Sequence, residues 1–249
     1  MFTDTHCHIF SEYYNEMDIL EILRSANNVR VIKYINNGTD NKTNQEVLEL
    51  SKKYPAIYPA LGIHPEVKSY STDDIKYIED NINSIVAIGE IGLDYHYENI
   101  DKKLQKEVFK SQLELAMKYS KPVIIHSRDA TKDTIDILRE YPGLKGVIHC
   151  FSGSLETAKE YIKLGYKLGM NGVITFKNSK FKEVLKFLPI EALVLETDAP
   201  YLSPEPKRGE KNEPANIIHI AKFIADIKGV TLEELSKITE KNVKDIFDI

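Results

Sequence analysis

The chain has 249 residues, 42% of them hydrophobic, with 33 lysines and arginines against 38 aspartates and glutamates and a net charge of −5. That length and apolar content suit one domain with a sizeable core, and the acidic balance excludes a protein that holds nucleic acid through bulk positive charge. Two cysteines, Cys7 and Cys150, are too few for a disulfide framework, and no secretory signal or membrane-length apolar run of roughly 20 residues is visible, so a soluble cytoplasmic protein is expected.

Short apolar runs alternate with amphipathic ones along the whole chain. The first strand carries Asp4-Thr5-His6-Cys7-His8. Alternation there puts His6 and His8 on one face and Cys7 on the other. A helix is expected over Glu12–Ala26, with Met17, Leu20 and Leu23 inward and Ile19 and Ile22 beside them. Val29–Ile35 reads as the second strand, closed by the turn signal Asn36-Asn37-Gly38. Asn41–Tyr54 is helical, Ile57–Ile63 is the third strand, and Thr72–Asn83 is a helix capped by Ser71 or Thr72. Ile85–Ile91 is the fourth strand and ends in Gly89-Glu90-Ile91-Gly92-Leu93-Asp94; the longest helical pattern follows over Ile100–Tyr119.

Pro122–His126 is a nearly unbroken apolar run, as expected of a strand buried on both faces. Helix Ala130–Tyr141 stops at Pro142-Gly143. Strand six is Gly146–Cys150, with a helix to about Leu164 after it. Strand seven, Tyr166–Ile174, is rich in glycine. Helix Lys180–Leu188 precedes strand eight, Ala192–Thr197. Two tail helices are expected, over Asn216–Ile227 and from Thr231, whose spacing to Glu234 fits a capping box. Eight strands alternating with helices predict a single-domain α/β protein over residues 1–249, a closed (β/α)8 TIM barrel. The proline-containing loop from Tyr201 to Pro214 follows strand eight and should lie over the mouth.

In such a barrel the active site lies at the carboxyl ends of the strands. His6, His8, Glu90, His126, His149 and Asp198 all fall there. A single imidazole at a strand end is more often structural, but four imidazoles and two carboxylates at one end point to metal, because buried unpaired carboxylates cost several kcal/mol. Six ligands exceed one tetrahedral zinc site. They suit two ions with Glu90 as the bridge: His6, His8, Glu90 and Asp198 on one, Glu90, His126 and His149 on the other. Imidazole with carboxylate admits Zn, Mn, Fe or Mg. His64, just before Pro65, reads as a seventh ligand, a phosphate contact or a structural residue, with the substrate contact favoured. The fork of Arg128 suits a phosphate, against a salt bridge to Asp94 or Asp129. Tyr95, Phe151 and Tyr201 flank the expected mouth as candidate base-stacking residues, and Lys207, Arg208 and Lys211 read as a backbone clamp or a solvated charge run. Cys7 and Cys150, each next to an inward histidine, should be unpaired and turned away from the metals.

At these residues the chain resembles the TatD family of metal-dependent deoxyribonucleases, within the amidohydrolase-like barrels. The resemblance is carried by Asp4-Thr5-His6-Cys7-His8, Gly62-Ile63-His64-Pro65, Ile88-Gly89-Glu90-Ile91-Gly92-Leu93-Asp94, Pro122-Val123-Ile124-Ile125-His126-Ser127-Arg128, His149-Cys150-Phe151-Ser152-Gly153, Glu196-Thr197-Asp198-Ala199-Pro200-Tyr201 and Asn212-Glu213-Pro214, end to end and in the family's order. It implies a TIM barrel, a divalent-metal site of the same six residues, and hydrolysis of phosphodiester bonds in DNA. Asp198 is then expected to orient the attacking water and take its proton, with His64 and Arg128 steadying the phosphate. A recessed mouth favours a single strand or an end over a duplex, hence an exonuclease. The alternative is an ester hydrolase of the same fold, such as a D-aminoacyl-tRNA deacylase. A cyclic-amide hydrolase with a carboxylated lysine is disfavoured, since Glu90 stands at the end of strand four.

Overall fold

A computed structural model describes all 249 residues. Eight parallel strands run in the order β1 to β8, each paired with the next: β1 Phe2–Cys7, β2 Val31–Asn37, β3 Ile57–Leu61, β4 Ala87–Asp94, β5 Val123–Arg128, β6 Gly146–Ile148, β7 Tyr166–Met170 and β8 Leu193–Leu195. The helices between them are α1 Glu16–Asn28, α2 Asn41–Lys53, α3 Thr72–Asp80, α4 Lys102–Tyr119, α5 Thr131–Leu138, α6 Leu155–Lys163 and α7 Phe181–Phe187, with α8 Ile217–Lys228 and α9 Leu232–Phe247 in the tail. This is the expected single-domain TIM barrel. No helix is long and apolar enough to cross a membrane.

The seam between β8 and β1 closes just beyond the end of β8. Asp198 N–H donates to His6 O and His8 N–H to Ala199 O. The buried Asp4 carboxyl group reinforces the seam: it accepts from Thr197 N–H at 2.9 Å, and its other oxygen is hydrogen-bonded to the Thr197 hydroxyl at 2.5 Å.

Inward-facing positions fill the barrel directly beneath the strand ends. Ile124, Val147 and Val194 form one buried cluster with Ile35, Ala60 and Ala87. Ile124 and Val147 precede His126 and His149 by two residues, so the period-2 pleat that buries the first pair turns the second into the mouth. Val243 and Phe247 of α9 pack on the same cluster. The polar ends therefore stand on a dry floor.

Several boundaries differ from the sequence reading for local reasons. α1 starts at Glu16 because Asn15 caps it through a capping box with Asp18; this turns Met17 outward, 72% exposed, while Ile19, Ile22 and Ala26 form the buried face. Asn36 and Asn37 are not a turn but the end of β2. Their amides satisfy buried backbone: Asn36 accepts from Ile9 N–H at 2.7 Å and donates to Ile9 O at 3.0 Å, fixing the exit of β1. Strands β6 and β8 have only three residues each, so His149 and Asp198 stand on strand exits. Ser71 caps α3, and Thr231 and Glu234 form the expected capping box.

Candidate metal centre

The exits of β1, β4, β5, β6 and β8 bring all six expected ligands together. Around one point lie His6 Nε2, His8 Nε2, Glu90 Oε2 and Asp198 Oδ1. His6 Nε2 is 3.1 Å from His8 Nε2, 3.3 Å from Glu90 Oε2 and 3.7 Å from Asp198 Oδ1. His8 Nε2 is 3.5 Å from each of the two carboxylate oxygens. Ligands at about 2.0–2.1 Å from a tetrahedral ion sit roughly 3.4 Å apart, so these atoms already have the edge lengths of a coordination shell. Two imidazole nitrogens at 3.1 Å can share only one proton as a hydrogen bond; a cation between them satisfies both.

The other oxygen of Glu90 faces a second group. Glu90 Oε1 lies 2.9 Å from His126 Nδ1, 3.6 Å from His64 Nε2 and 3.9 Å from His149 Nε2. His149 leans toward the first group as well: its ring stacks on His6 with centroids 3.6 Å apart, and Nε2 is 3.8 Å from Asp198 Oδ1. Three overlapping donor sets result, His6/His8/Glu90, His6/His149/Asp198 and His64/Glu90/His126. His64 thus stands among the candidate ligands of the second group while also lining the cleft.

Three of the histidines are held from behind, by partners the sequence reading missed. Asn37 O lies 2.9 Å from His8 Nδ1, leaving Nε2 as the lone-pair nitrogen. Asp94 Oδ2 lies 2.9 Å from His126 Nε2, so Nδ1 is the nitrogen aimed inward. Glu196 Oε1 lies 2.9 Å from His149 Nδ1. Such partners fix tautomer and ring orientation in metal-ligating histidines. A signal for the carboxylates existed: Glu196 is two residues before Asp198, and Asp94 four after Glu90, in otherwise apolar surroundings. His149 Nδ1 meets Glu196 as a close ion pair without an aligned hydrogen bond, and His6 Nδ1 is buried with no partner at all.

The electrostatics are those of a packed cluster of bases and acids. Burial opposes the charge on His149, but Glu196, Asp198 and Glu90 outweigh it and push the imidazole up to about 10. His126, likewise buried, is pushed up to about 9 by Asp94 and Glu90. His6 goes the other way, lowered by burial and by neighbouring His149. Burial would raise Asp198, but His149, His8 and His6 hold its carboxyl below the usual range. The surrounding histidines thus hold both carboxylates, Glu90 and Asp198, in their ionised form. The donor chemistry fits divalent metal on these observations alone.

The cleft above the centre has a volume of about 770 Å³. Arg128 lines it, with its guanidinium 5.5 Å over the Tyr97 ring. The carboxylates it was weighed against are taken elsewhere, Asp94 by His126 and Asp129 by His96. Tyr201 lines the cleft as expected. Phe151 is buried against Tyr161 and Phe181, and the Tyr95 hydroxyl donates to Asp133, so neither offers a stacking face at the mouth.

The loop after β8 does reach the mouth through Tyr201 and Leu202, but its cations are spoken for: Lys207 pairs with Glu210, Arg208 lies 3.7 Å over Phe176, and Lys211 donates to Tyr13 O. Asn212 explains the tripeptide it opens, since its amide donates to Thr197 O and Tyr201 O and ties the loop to the exit of β8. Both cysteines are free. Cys7 is buried, its thiol 3.5 Å from Ile35 O. Cys150 departs from strict alternation: its φ of 51° follows the end of β6, and it stands in the cleft wall, although it joins none of the donor sets.

Comparison with known proteins agrees with this geometry. The profile described as TatD related DNase matches residues 3–248. The chain is 40% identical to the uncharacterized metal-dependent hydrolase YabD of Bacillus subtilis over the full length of both, and 33% identical to the mouse protein named "Putative deoxyribonuclease TATDN3", covering 98% of this chain and 87% of that one. The crystal structure of YJJV, a TatD homologue from Escherichia coli, superposes with a TM-score of 0.93 at 32% identity, covering 100% of this chain and 98% of the other.

Proposed function

The chain belongs to the TatD-related DNase family of metal-dependent hydrolases, and from that premise we propose that it cleaves phosphodiester bonds of DNA, as an exonuclease acting on single strands or ends, with two divalent ions held between the strand exits. The observation that carries the two-ion reading is the split of Glu90. One oxygen faces His6 and His8, the other faces His126 and His64. A carboxylate shared in this way suits a bridge. When bound, the ions supply Lewis-acid polarisation of the phosphate and a nucleophile at neutral pH.

The chain's own residues do the rest. His6, His8, Glu90 and Asp198 would hold one ion, and Glu90, His126 and His149, with His64 beside them, the other. Asp198 remains ionised because the histidines around it hold its carboxyl down, so it can orient the attacking water and accept its proton. His64 and Arg128 line the cleft from the β3 and β5 exits, where each can meet a phosphate oxygen as negative charge builds. Asp94 and the Asn37 carbonyl keep two imidazoles in one tautomer, and Glu196 pairs closely with a third. The cleft falls within the roughly 300–1,000 Å³ of small-molecule sites, which suits one or two nucleotides drawn out of a stack and not a duplex.

An ester hydrolase acting on an aminoacyl-tRNA would use the same centre. A panel of single-stranded DNA, duplex DNA and an aminoacyl ester, assayed on chelator-stripped protein titrated with Zn, Mn or Mg, separates the readings. Cleavage of DNA restored at two ions per chain is expected. Restoration of ester cleavage with no DNA cleaved at any metal level would overturn the nuclease assignment.

A further inference from the structure

The mouth has two chemically different walls. Strands β4 and β5 lie opposite β8 and β1 in an eight-stranded barrel, so Tyr97 and Arg128 face Phe10, Tyr13 and Tyr201 across the cleft. On the first wall the exposed Tyr97 ring already carries the Arg128 guanidinium. On the second, an aromatic chain runs outward from a candidate ligand. The ring centroids of His8 and Phe10 are 5.5 Å apart, those of Phe10 and Tyr13 6.2 Å, those of Tyr13 and Tyr201 5.7 Å, and those of Tyr201 and His8 6.3 Å.

Of the aromatic residues lining the cleft, Phe10 is buried, Tyr13 is half-buried and Tyr97 is covered by Arg128, so Tyr201 is the one both exposed and uncovered. Lys211 lies over Tyr14, Lys102 over Tyr95, Arg128 over Tyr97 and Arg208 over Phe176. No cation covers Tyr201, which is nevertheless 48% exposed. Its position is fixed on two sides. Its hydroxyl is hydrogen-bonded to that of Tyr13, whose ring meets it nearly edge-on at 76°. Its carbonyl is held by Asn212. A rigid, uncovered aromatic face beside a phosphate-sized polar centre has the chemistry of a base platform, because every nucleobase offers a π-face and stacking needs no sequence-specific hydrogen bond.

We propose that Tyr201, braced by Tyr13, stacks the unpaired base of the nucleotide next to the scissile phosphate, while Arg128, supported by Tyr97 on the opposite wall, meets that phosphate from the other side. The cleft is thus sided, base against the β8/β1 wall and backbone against the β4/β5 wall. It would reject the interior of a duplex, where each base is stacked between two neighbours and has no free face for Tyr201. This inference rests on the nuclease reading above.

The test is a substrate–enzyme double-mutant cycle. Single-stranded oligonucleotides of one sequence carry a single abasic unit at each of the last three positions of either end, and kcat/KM is measured for wild type, Tyr201→Ala, Tyr201→Leu and Tyr201→Phe, all shown to match wild type in metal content and melting temperature. At one position adjacent to the cleaved bond, the abasic unit should slow wild type by about 5- to 150-fold, the range of base–aromatic stacking. Tyr201→Ala and Tyr201→Leu should lose the same factor on the intact strand and nothing further on the abasic one, while Tyr201→Phe stays near wild type. Penalties that multiply at every position, or a Phe variant as slow as Ala, overturn the platform while leaving the nuclease reading intact. Wild-type protein that cleaves no oligonucleotide overturns both.

Discussion

Glu196 and Gly169 occupy adjoining space that only a glycine leaves open. A Cβ on Gly169 would stand 2.1 Å from Glu196 Oε2 and 2.6 Å from its Cδ. The carboxylate that uses this space accepts from Cys150 N–H at 2.6 Å and meets His149 Nδ1 at 2.9 Å. A bare backbone on β7 thus lets a buried glutamate on the exit of β8 aim a histidine on the exit of β6.

Two substitutions at different positions should therefore converge. Glu196→Ala removes the partner of His149, and Gly169→Ala drives that partner out of place. Loss of such an outer partner typically weakens metal binding 10–100-fold. Titration of chelator-stripped protein by calorimetry should show one class of ion weakened in both variants, with the His6/His8 class spared. Wild-type affinity at both classes in Gly169→Ala would mean that Glu196 does not aim His149.

The β8/β1 seam makes a stability prediction. Burial pushes the Asp4 carboxyl up to about 8, so at neutral pH it carries a proton and can donate to the Thr197 hydroxyl while accepting from Thr197 N–H. Asp4→Asn reproduces that pattern and should unfold near the wild-type denaturant midpoint below about pH 4, where the wild-type carboxyl is protonated in both states. Asp4→Ala orphans buried groups at about 1–3 kcal/mol each and should fall well below it. Because the folded value lies above the unfolded one, the wild-type contribution is complete only below about 4 and fades as pH rises toward 8. The Asn variant should lack that slope.

The parts of this architecture that repeat along the chain could be read from sequence, and the parts that depend on one long-range contact could not. All eight strands and the ligand-bearing exits followed from periodicity, because burying Ile124 or Val147 two residues before His126 or His149 leaves the histidines no other direction. Asn36 and Asn37 were misread as a turn. Their dipeptide is a turn signal in isolation, and only the exit of β1, brought alongside by the barrel, satisfies the Asn36 amide within a strand. The outer partners Asp94 and Glu196 were missed for the same reason: each is defined by a histidine on another strand. The engagement of the basic loop was not legible either, because charge in a sequence does not reveal that Phe176, Glu210 and Tyr13 contact its cations.

The raised histidines set a pH dependence for metal loading. With His126 at about 9 and His149 at about 10, both are protonated in the metal-free protein at neutral pH, and an ion must displace those protons. Metal affinity should climb as pH rises from 7 toward 10, with proton release visible when calorimetry is repeated in buffers of different ionisation enthalpy. The metal-free protein should show the opposite trend in stability. Each histidine's contribution is fully present below its unfolded value of about 6.5 and is lost as pH rises through 9–10. Melting temperatures of stripped protein that are flat across this window would contradict the assigned ion pairs.

Asp198 and His64 carry the sharpest mechanistic test. Asp198 Oδ1 faces His6, His8 and His149, and its backbone takes a left-handed φ of 60°, which aspartate tolerates better than most residues. Asp198→Asn keeps shape and a weak oxygen ligand but removes the charge and the proton acceptor. Activity should fall by about 10²–10⁴-fold, the contribution of a general base, with a further loss from weaker metal holding, while DNA binding survives on the remaining ligands and Arg128. His64→Ala divides two roles that the geometry brings together. As a phosphate contact it should lower turnover or raise KM with both ions retained; as a ligand on Glu90 Oε1, at 3.6 Å, it should cost the second ion. Metal content and single-turnover cleavage, measured together on both variants, give the answer. Near wild-type cleavage by fully loaded Asp198→Asn would remove Asp198 from proton transfer, and a His64→Ala protein with one ion per chain would place His64 in the coordination shell.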